Sequence, residues 1–302
     1  MARLPLGPVG TRWPPQRIID CHVHLNNYHV ENPVATSENV ARLREAMDRN
    51  GIQHVLAITS YQINDDRPSA ARVLAEVWGD KRIHVVEGLP ITAPGGVDWA
   101  GVEKRLEDGQ IHGFKIYPGY EPIYPQDKLC HPAYELAAKH DVPVMLHTGD
   151  TYAPRAKLKY AHPLNVDDVA VDFPDVTFVM CHLGNPWTRD CAEIIYKNDN
   201  VYADISGLFL EGETSSKLEK YMVSNVRDII TYAGERDKLL YGTDWPLVHM
   251  KPYLDFVRSL HLGKKELEML MWQNAARIFG IDTETVHPPT PIPAAQVEQD
   301  KT

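Results

Sequence analysis

Histidines and one aspartate stand where the apolar runs of this chain stop. Ile18-Ile19 leads into Asp20-Cys21-His22-Val23-His24, Val142–Leu146 into His147, Val176–Cys181 into His182, and Lys238–Thr243 into Asp244. Histidine is the commonest transition-metal ligand, and histidine with aspartate is a typical set for zinc. A lone histidine at a strand end carries no such message; four strand ends in the order HxH, H, H, D do. His22 and His24 are two residues apart, so both project from one side of an extended chain and can reach one ion. Asp244 sits in Gly242-Thr-Asp-Trp-Pro246. There it could bind the ion, hold an attacking water as general base, or do both; the bland alternative is a cap for the following turn.

These groups need elements that bring their strand ends together. After the first strand, a helix is expected from Ser37 to Asn50, stopped by Gly51. Strand His54–Thr59, helix Ser69–Trp78, strand Ile83–Leu89, helix Val97–Glu107, strand Gly113–Tyr117 and helix His131–His140 follow. The fifth strand ends at His147, and a long loop, Thr148–Pro163, leads to a helix at Asn165–Asp172. The sixth strand, helix Thr188–Asn198, strand Val201–Ile205, a helical stretch between Glu213 and Gly234, and the eighth strand ending at Asp244 complete the alternation. Two helices close the chain, Pro252–Leu260 and Lys264–Phe279.

Repeated strand–helix units imply a parallel sheet buried on both faces. Eight of them point to α/β class and a (β/α)8 TIM barrel, in which catalytic groups come from the C-terminal strand ends. An open doubly wound sheet is disfavoured, because His22-Val-His24 stands where a Gly-rich phosphate turn belongs. One domain is expected over residues 1–285, with an N-terminal extension. Residues 286–302, with Pro288, Pro289, Pro291 and Pro293, read as a tail.

The chain of 302 residues carries a formal net charge of −10 and no basic run, which argues against nucleic acid as a partner. No apolar run suits a membrane span or a signal peptide, so a cytoplasmic protein is expected, with a small-molecule substrate and a homodimer as the assembly allowed for. The four cysteines form no CxxC pair or disulfide framework. Cys21 and Cys181 each precede a candidate ligand. If the histidines face the barrel mouth, strand alternation turns these cysteines toward the helices as small buried hydrophobes.

Asp20-Cys-His-Val-His24, Met145-Leu-His147-Thr-Gly, Met180-Cys-His182-Leu-Gly-Asn-Pro-Trp187 and Tyr241-Gly-Thr-Asp244-Trp-Pro resemble motifs of the amidohydrolase superfamily. The branch most similar is the amidohydrolase-related group that includes aminocarboxymuconate-semialdehyde decarboxylase. The resemblance runs from Ile18 to Ile281, with Asn274–Gly280 similar to the usual closing helix. It implies His22, His24, His147 and Asp244 as metal ligands. His182 becomes either a ligand to a second ion or a residue that polarises substrate or water. The resemblance also puts Lys115 where some members carry a carboxylated lysine; an unmodified, hydrogen-bonding or substrate-facing Lys115 is expected here.

The reading that follows is a metal-dependent hydrolase of a small carbonyl compound, an amide, lactone or relative. One divalent ion is expected, zinc first and manganese second. Asp244 and His182 are the expected catalytic pair, Asp244 taking the proton of the attacking water and His182 stabilising the oxyanion. Lys115, Tyr117, Arg155, Trp187 and Trp245 are expected to line the substrate site. The alternative is non-oxidative decarboxylation of an aromatic or unsaturated acid. The His182-Leu-Gly-Asn-Pro-Trp187 segment departs from the Gly-Glu continuation of several decarboxylases, which favours hydrolysis. A barrel that has lost its metal is a third reading, and the intact ligand set argues against it.

Overall fold

A computed structural model describes residues 15–28, 31, 33–209, 216–233 and 238–284. The expected extension before residue 15 and the tail 286–302 lie outside the described residues. Eight strands alternate with helices: β1 (Ile19–Val23), α1 (Thr36–Asn50), β2 (His54–Ile58), α2 (Ala70–Glu76), β3 (Ile83–Gly88), α3 (Trp99–Glu107), β4 (Phe114–Ile116), α4 (His131–His140), β5 (Val144–Leu146), α5 (Leu164–Asp172), β6 (Phe178–Met180), α6 (Thr188–Lys197), β7 (Val201–Asp204), α7 (Ser216–Ala233) and β8 (Leu239–Leu240). Then come α8 (Met250–Ser259), α9 (Lys264–Glu268) and, after a π turn, α10 (Asn274–Ile278). Every neighbouring pair is parallel and the strand order is sequential. The ring shuts through Cys21 N–H to Tyr241 C=O (2.9 Å), Asp244 N–H to His22 C=O (2.8 Å) and His24 N–H to Trp245 C=O (2.7 Å).

Side-chain alternation divides the core in two. Leu56, Ile58, Val86, Met145, Val179 and Leu240 point inward, and Ala275, Phe279 and Ile281 join this inner cluster from the closing helical segment. Val55, Phe114, Val144, Leu146, Met180 and Leu239 belong to the outer cluster, with the apolar helix faces that include Leu43, Val102, Tyr134, Ile194 and Val257. Near-continuous apolar strands are what a sheet covered on both faces requires.

The helix ends follow local chemistry in most places. Ser69 accepts the Arg72 N–H at the start of α2, and Gly51 closes α1 at φ 66°, a left-handed position that glycine occupies without penalty. α1 itself starts one residue before Ser37, and its N-cap position is Ala35, with no side-chain cap.

The expected placing of Cys21 and Cys181 is corrected. Both lie in the inner cluster and neither faces the helices. In β6 ordinary alternation puts Val179 and Cys181 inside, so His182 reaches the axis by a different route, described below. In β1 the register slips, with Asp20 opposite Val55 and Val23 opposite Ala57. One extra residue on β1 breaks the alternation there, as a β-bulge does.

Gly88, at the end of β3, shows how tightly the barrel is drawn. A Cβ there would lie 2.1 Å from the Thr59 carbonyl oxygen, which also accepts the Tyr117 hydroxyl at 2.6 Å. Gly88→Ala is therefore expected to destabilise the fold by about 3 kcal/mol, the upper end of overpacking costs. Urea unfolding checks this: the midpoint falls while the slope stays that of the parent.

Candidate metal centre

The C-terminal strand ends form one mouth, and the histidines named from sequence meet there. Asp244 Oδ1 lies 3.2 Å from His24 Nε2 and 3.8 Å from His22 Nε2. These three residues present ligand atoms within 4.8 Å of one another. His147 and His182 line the same cavity of about 320 Å³. The His182 ring is centred 4.8 Å from that of His22 and 5.1 Å from that of His147. His147 stands apart from the compact trio.

Each imidazole is anchored through one nitrogen. His22 Nδ1 meets Asp204 Oδ2 at 2.9 Å, His24 Nδ1 the Ile58 carbonyl at 2.9 Å, His147 Nε2 the Asp150 carbonyl at 2.9 Å, and His182 Nδ1 the Ser206 carbonyl at 3.1 Å. Carbonyls and carboxylates only accept, so the ring proton sits on the anchored nitrogen and the other nitrogen offers a lone pair. Four lone pairs and a carboxylate around one cavity are a donor set for a divalent cation, with the outer bonds that such ligands ordinarily make. The residues present fit such an ion.

The electrostatics agree with that state. Burial pushes His22 down to about 3, with the Lys115 charge adding to it, against the pull of Asp204. Burial likewise lowers His147 and His182, so the rings stay neutral. Burial alone would raise the Asp244 carboxyl, but the surrounding imidazoles of His24, His22 and His182 hold it well below the usual carboxylate range.

Backbone conformation aims two of these groups. His182 adopts φ 60° and Leu183 φ 50°, which swings the His182 ring back over the axis after Cys181 has pointed inward. Asp244 adopts φ 72° just beyond β8. Non-glycine residues are held in this region only where the surroundings over-determine them.

Sequence reasoning missed the groups that do the holding. Asp204, at the end of β7, is fully buried. Besides His22 it accepts the backbone N–H of His182 (3.0 Å) and of Ser206 (3.0 Å), and the Ser206 hydroxyl. Ser206 Oγ also sits 3.0 Å from His22 Nδ1 and 2.9 Å from His182 Nδ1. Asp20 accepts from Thr243 Oγ1 at 2.6 Å, from Thr243 N–H at 2.9 Å and from His22 N–H at 3.1 Å, tying the first candidate ligand to the segment that carries Asp244. Burial raises Asp20 to about 7 against those hydrogen bonds. Asp204 was legible by the rule used for the others, as a charged residue closing the apolar strand Val201-Tyr-Ala-Asp204.

The expected substrate residues divide. Lys115, Tyr117 and Arg155 line the cavity. Lys115 is buried, and its Nζ donates to Cys181 Sγ at 2.6 Å. Trp187 is a correction: it precedes α6 and packs at a tilt against His162, with ring centroids 4.8 Å apart, away from the cavity-lining side chains. Trp245 is a second correction. Its backbone pairs with Val23, and its side chain is only 7% exposed within the outer core, so Leu247 lines the cavity in its place. Tyr28, Tyr61 and Arg67 complete the wall from the segments after β1 and β2, where no strand-end signal marked them. The expectation for His182 also changes in its chemistry. With its proton on Nδ1, it meets the cavity as an acceptor and must gain a proton before it can donate to an oxyanion.

An eight-stranded parallel barrel with imidazoles and a carboxylate at its C-terminal mouth defines the class of TIM-barrel proteins equipped for divalent-metal chemistry. The profile of one family, described as amidohydrolase, matches residues 19–281, and the chain belongs to that family. No curated protein matches the chain. Among solved structures, an uncharacterised TIM-barrel protein from Bordetella bronchiseptica superposes with a TM-score of 0.69 at 22% identity, over 87% of this chain and 98% of that one. A probable 2-pyrone-4,6-dicarboxylic acid hydrolase from Acinetobacter baumannii, with citric acid bound, gives 0.63 at 14% identity over 87% and 99%. A dihydroxybenzoic acid decarboxylase from Polaromonas sp. JS666, with manganese and 2-nitroresorcinol bound, gives 0.59 at 14% over 87% and 97%. At such identities these likenesses speak for the fold alone.

The Asp204 contacts generate a test. Asp204→Asn keeps the shape but weakens the acceptor that sets the His22 tautomer. Affinity for added zinc is expected to fall about 10- to 100-fold, the usual effect of removing an outer partner of a ligand. Competition with a chelating dye measures it, and an unchanged far-ultraviolet dichroism spectrum separates lost affinity from lost fold.

Proposed function

We propose that this chain is a cytoplasmic, metal-dependent hydrolase of a small carbonyl compound. The observation that carries the reading is Asp244, a carboxylate kept ionised within 3.2 Å of His24 Nε2 at the wall of a cavity. His22, His24, His147 and Asp244 would hold one divalent ion, zinc in the first place. When bound, such an ion polarises a carbonyl and lowers the pKa of water toward about 7.

The chain's own residues do the rest. Asp244 Oδ accepts the proton of the attacking water, as its ionised state and position allow. His182 Nε2 faces the same cavity as an acceptor, so it can receive that proton and hand it to the leaving group. Tyr28, Tyr61, Tyr117 and Tyr120 form an aromatic wall; the Tyr61 and Tyr117 ring centroids are 4.9 Å apart. A planar substrate suits that wall, and Arg67 and Arg155 suit a carboxylate on it.

Those arginines also favour a second reading, decarboxylation of a planar aromatic acid, the reaction named for the manganese-bound structure above. Assaying amides, lactones and aromatic acids in parallel, with detection of carbon dioxide, separates the two. Hydrolysis without carbon dioxide supports the first reading; carbon dioxide released at one equivalent per turnover replaces it with the second.

Two outcomes are expected from variants. His22→Ala or His24→Ala removes a ligand, so elemental analysis should find the tightly held metal content cut several-fold. His182→Ala should retain the metal and lose turnover by about 10²- to 10⁴-fold, the range for a positioned acid–base group. A His182→Ala protein stripped of metal as thoroughly as His22→Ala would make His182 a ligand instead.

Asp244→Asn should leave the melting curve close to that of the parent, because Asn caps a turn nearly as well as Asp. Turnover should fall by at least about 10²-fold, since the amide accepts no proton. Near-native turnover in this variant would take Asp244 out of the chemistry.

A further inference from the structure

A cavity of about 820 Å³ opens at the opposite, N-terminal mouth of the barrel, bounded by the segments that lead into β3 and β4 and by Gly280 and Asp282. Three imidazoles run along this end, His54 at the start of β2, His84 in β3 and His112 just before β4. His54 Nδ1 lies 3.1 Å from His84 Nε2, and His84 Nδ1 lies 3.2 Å from His112 Nε2. His112 Nδ1 lies 3.1 Å from the Phe279 carbonyl.

The order of protons along this chain can be worked out. The Phe279 carbonyl only accepts, so His112 carries its proton on Nδ1 and offers a lone pair at Nε2. If His84 donates to that lone pair from Nδ1, its own Nε2 is bare, and His54 must donate from Nδ1. His54 Nε2 is then a lone pair, and it is buried without a hydrogen-bond partner. A buried acceptor left unmatched is destabilising. The neighbouring polar group is the Lys81 backbone carbonyl, an acceptor that favours an N–H on this ring. Three neutral rings thus bring three protons to four junctions, and the chain is one cation short.

We propose that a divalent transition-metal ion, of the zinc, nickel or copper class, binds between His84 Nδ1 and His112 Nε2. With metal–nitrogen bonds of about 2.0–2.1 Å, a nitrogen separation of 3.2 Å subtends about 100° at the ion, close to tetrahedral. The two rings stand at 85° with centroids 4.6 Å apart, so neither blocks the other's lone pair. Both rings line the cavity, which leaves the remaining coordination positions to water. The ion displaces the proton from His84 Nδ1 to Nε2. His84 then donates to His54 Nδ1, and His54 turns an N–H toward the Lys81 carbonyl. Every junction is now matched.

A free proton is a poorer occupant at neutral pH. Burial, with the His112 and His54 charges behind it, pushes His84 down to about 3, and burial lowers His54 and His112 as well. Arg82 and Arg17 oppose positive charge at His54, whereas Asp282 favours it. Asp80, Asp108 and Asp282 face the cavity against a single cation, Lys81, so the wall favours a doubly charged ion from solution.

The test uses the full chain dialysed against micromolar zinc chloride, with metal counted per chain. The parent is expected to hold one equivalent more than His112→Ala or His84→Gln, while His22→Ala keeps that equivalent and loses the one at the other mouth. Equal zinc in the parent, His112→Ala and His84→Gln overturns the site. A His22→Ala protein with the parent's zinc content instead counts against the centre under Proposed function and leaves this site standing. Should both N-terminal-mouth variants fail to fold, parent crystals soaked in zinc chloride decide. An anomalous peak between the two rings is expected, and none there overturns the proposal.

Discussion

The arrangement of candidate ligands at the C-terminal mouth depends on a carboxylate that never meets solvent. Asp204 is fully buried, and a buried charge persists only when paired and hydrogen-bonded. Its partners are the His22 ring, the His182 backbone and Ser206. Satisfying this one group therefore orients the His22 imidazole, fixes which of its nitrogens stays open, and pins the left-handed turn that aims His182. Asp20, two strands away on β1, joins the His22 backbone to Thr243. The candidate ligands are held from behind by two acids that face away from the cavity.

The fold was legible because its rule is periodic. Strand and helix signals alternate through the chain, and a sheet covered on both faces writes itself as short apolar runs between helices. The histidines and Asp244 were legible for the same reason, since polar residues closing apolar runs violate the local pattern at one end of the barrel. What stayed hidden depends on single backbone angles. Cys21 and Cys181 share the inner side with the histidines that follow them because a bulge in β1 and the left-handed conformation of His182, which no periodicity records, break the alternation there. Trp187 and Trp245 follow the ligand segments directly, yet the turns there carry both rings away from the cavity. Tyr28, Tyr61 and Arg67 come from connecting segments, where residue type alone does not say which side chains converge.

The two mouths of the barrel use histidine differently. At the C-terminal mouth each ring is locked by an oxygen acceptor of its own, so four lone pairs are presented separately. At the N-terminal mouth the rings bond to one another, and the state of each depends on the next. The first arrangement defines a donor set; the second passes a change at one end along three strands.

The left-handed conformations of His182 and Asp244 bear on how such a barrel can change over generations. For residues with a side chain, that conformation costs roughly 1–2 kcal/mol each. Glycine would relieve it, and would remove the imidazole or the carboxylate. Under the proposed function, selection for stability and selection for chemistry would pull in opposite directions at these two positions. A descendant released from catalysis would drift there first, with its sheet and helices intact, and the loss of function would be written in two residues before anything in the architecture recorded it.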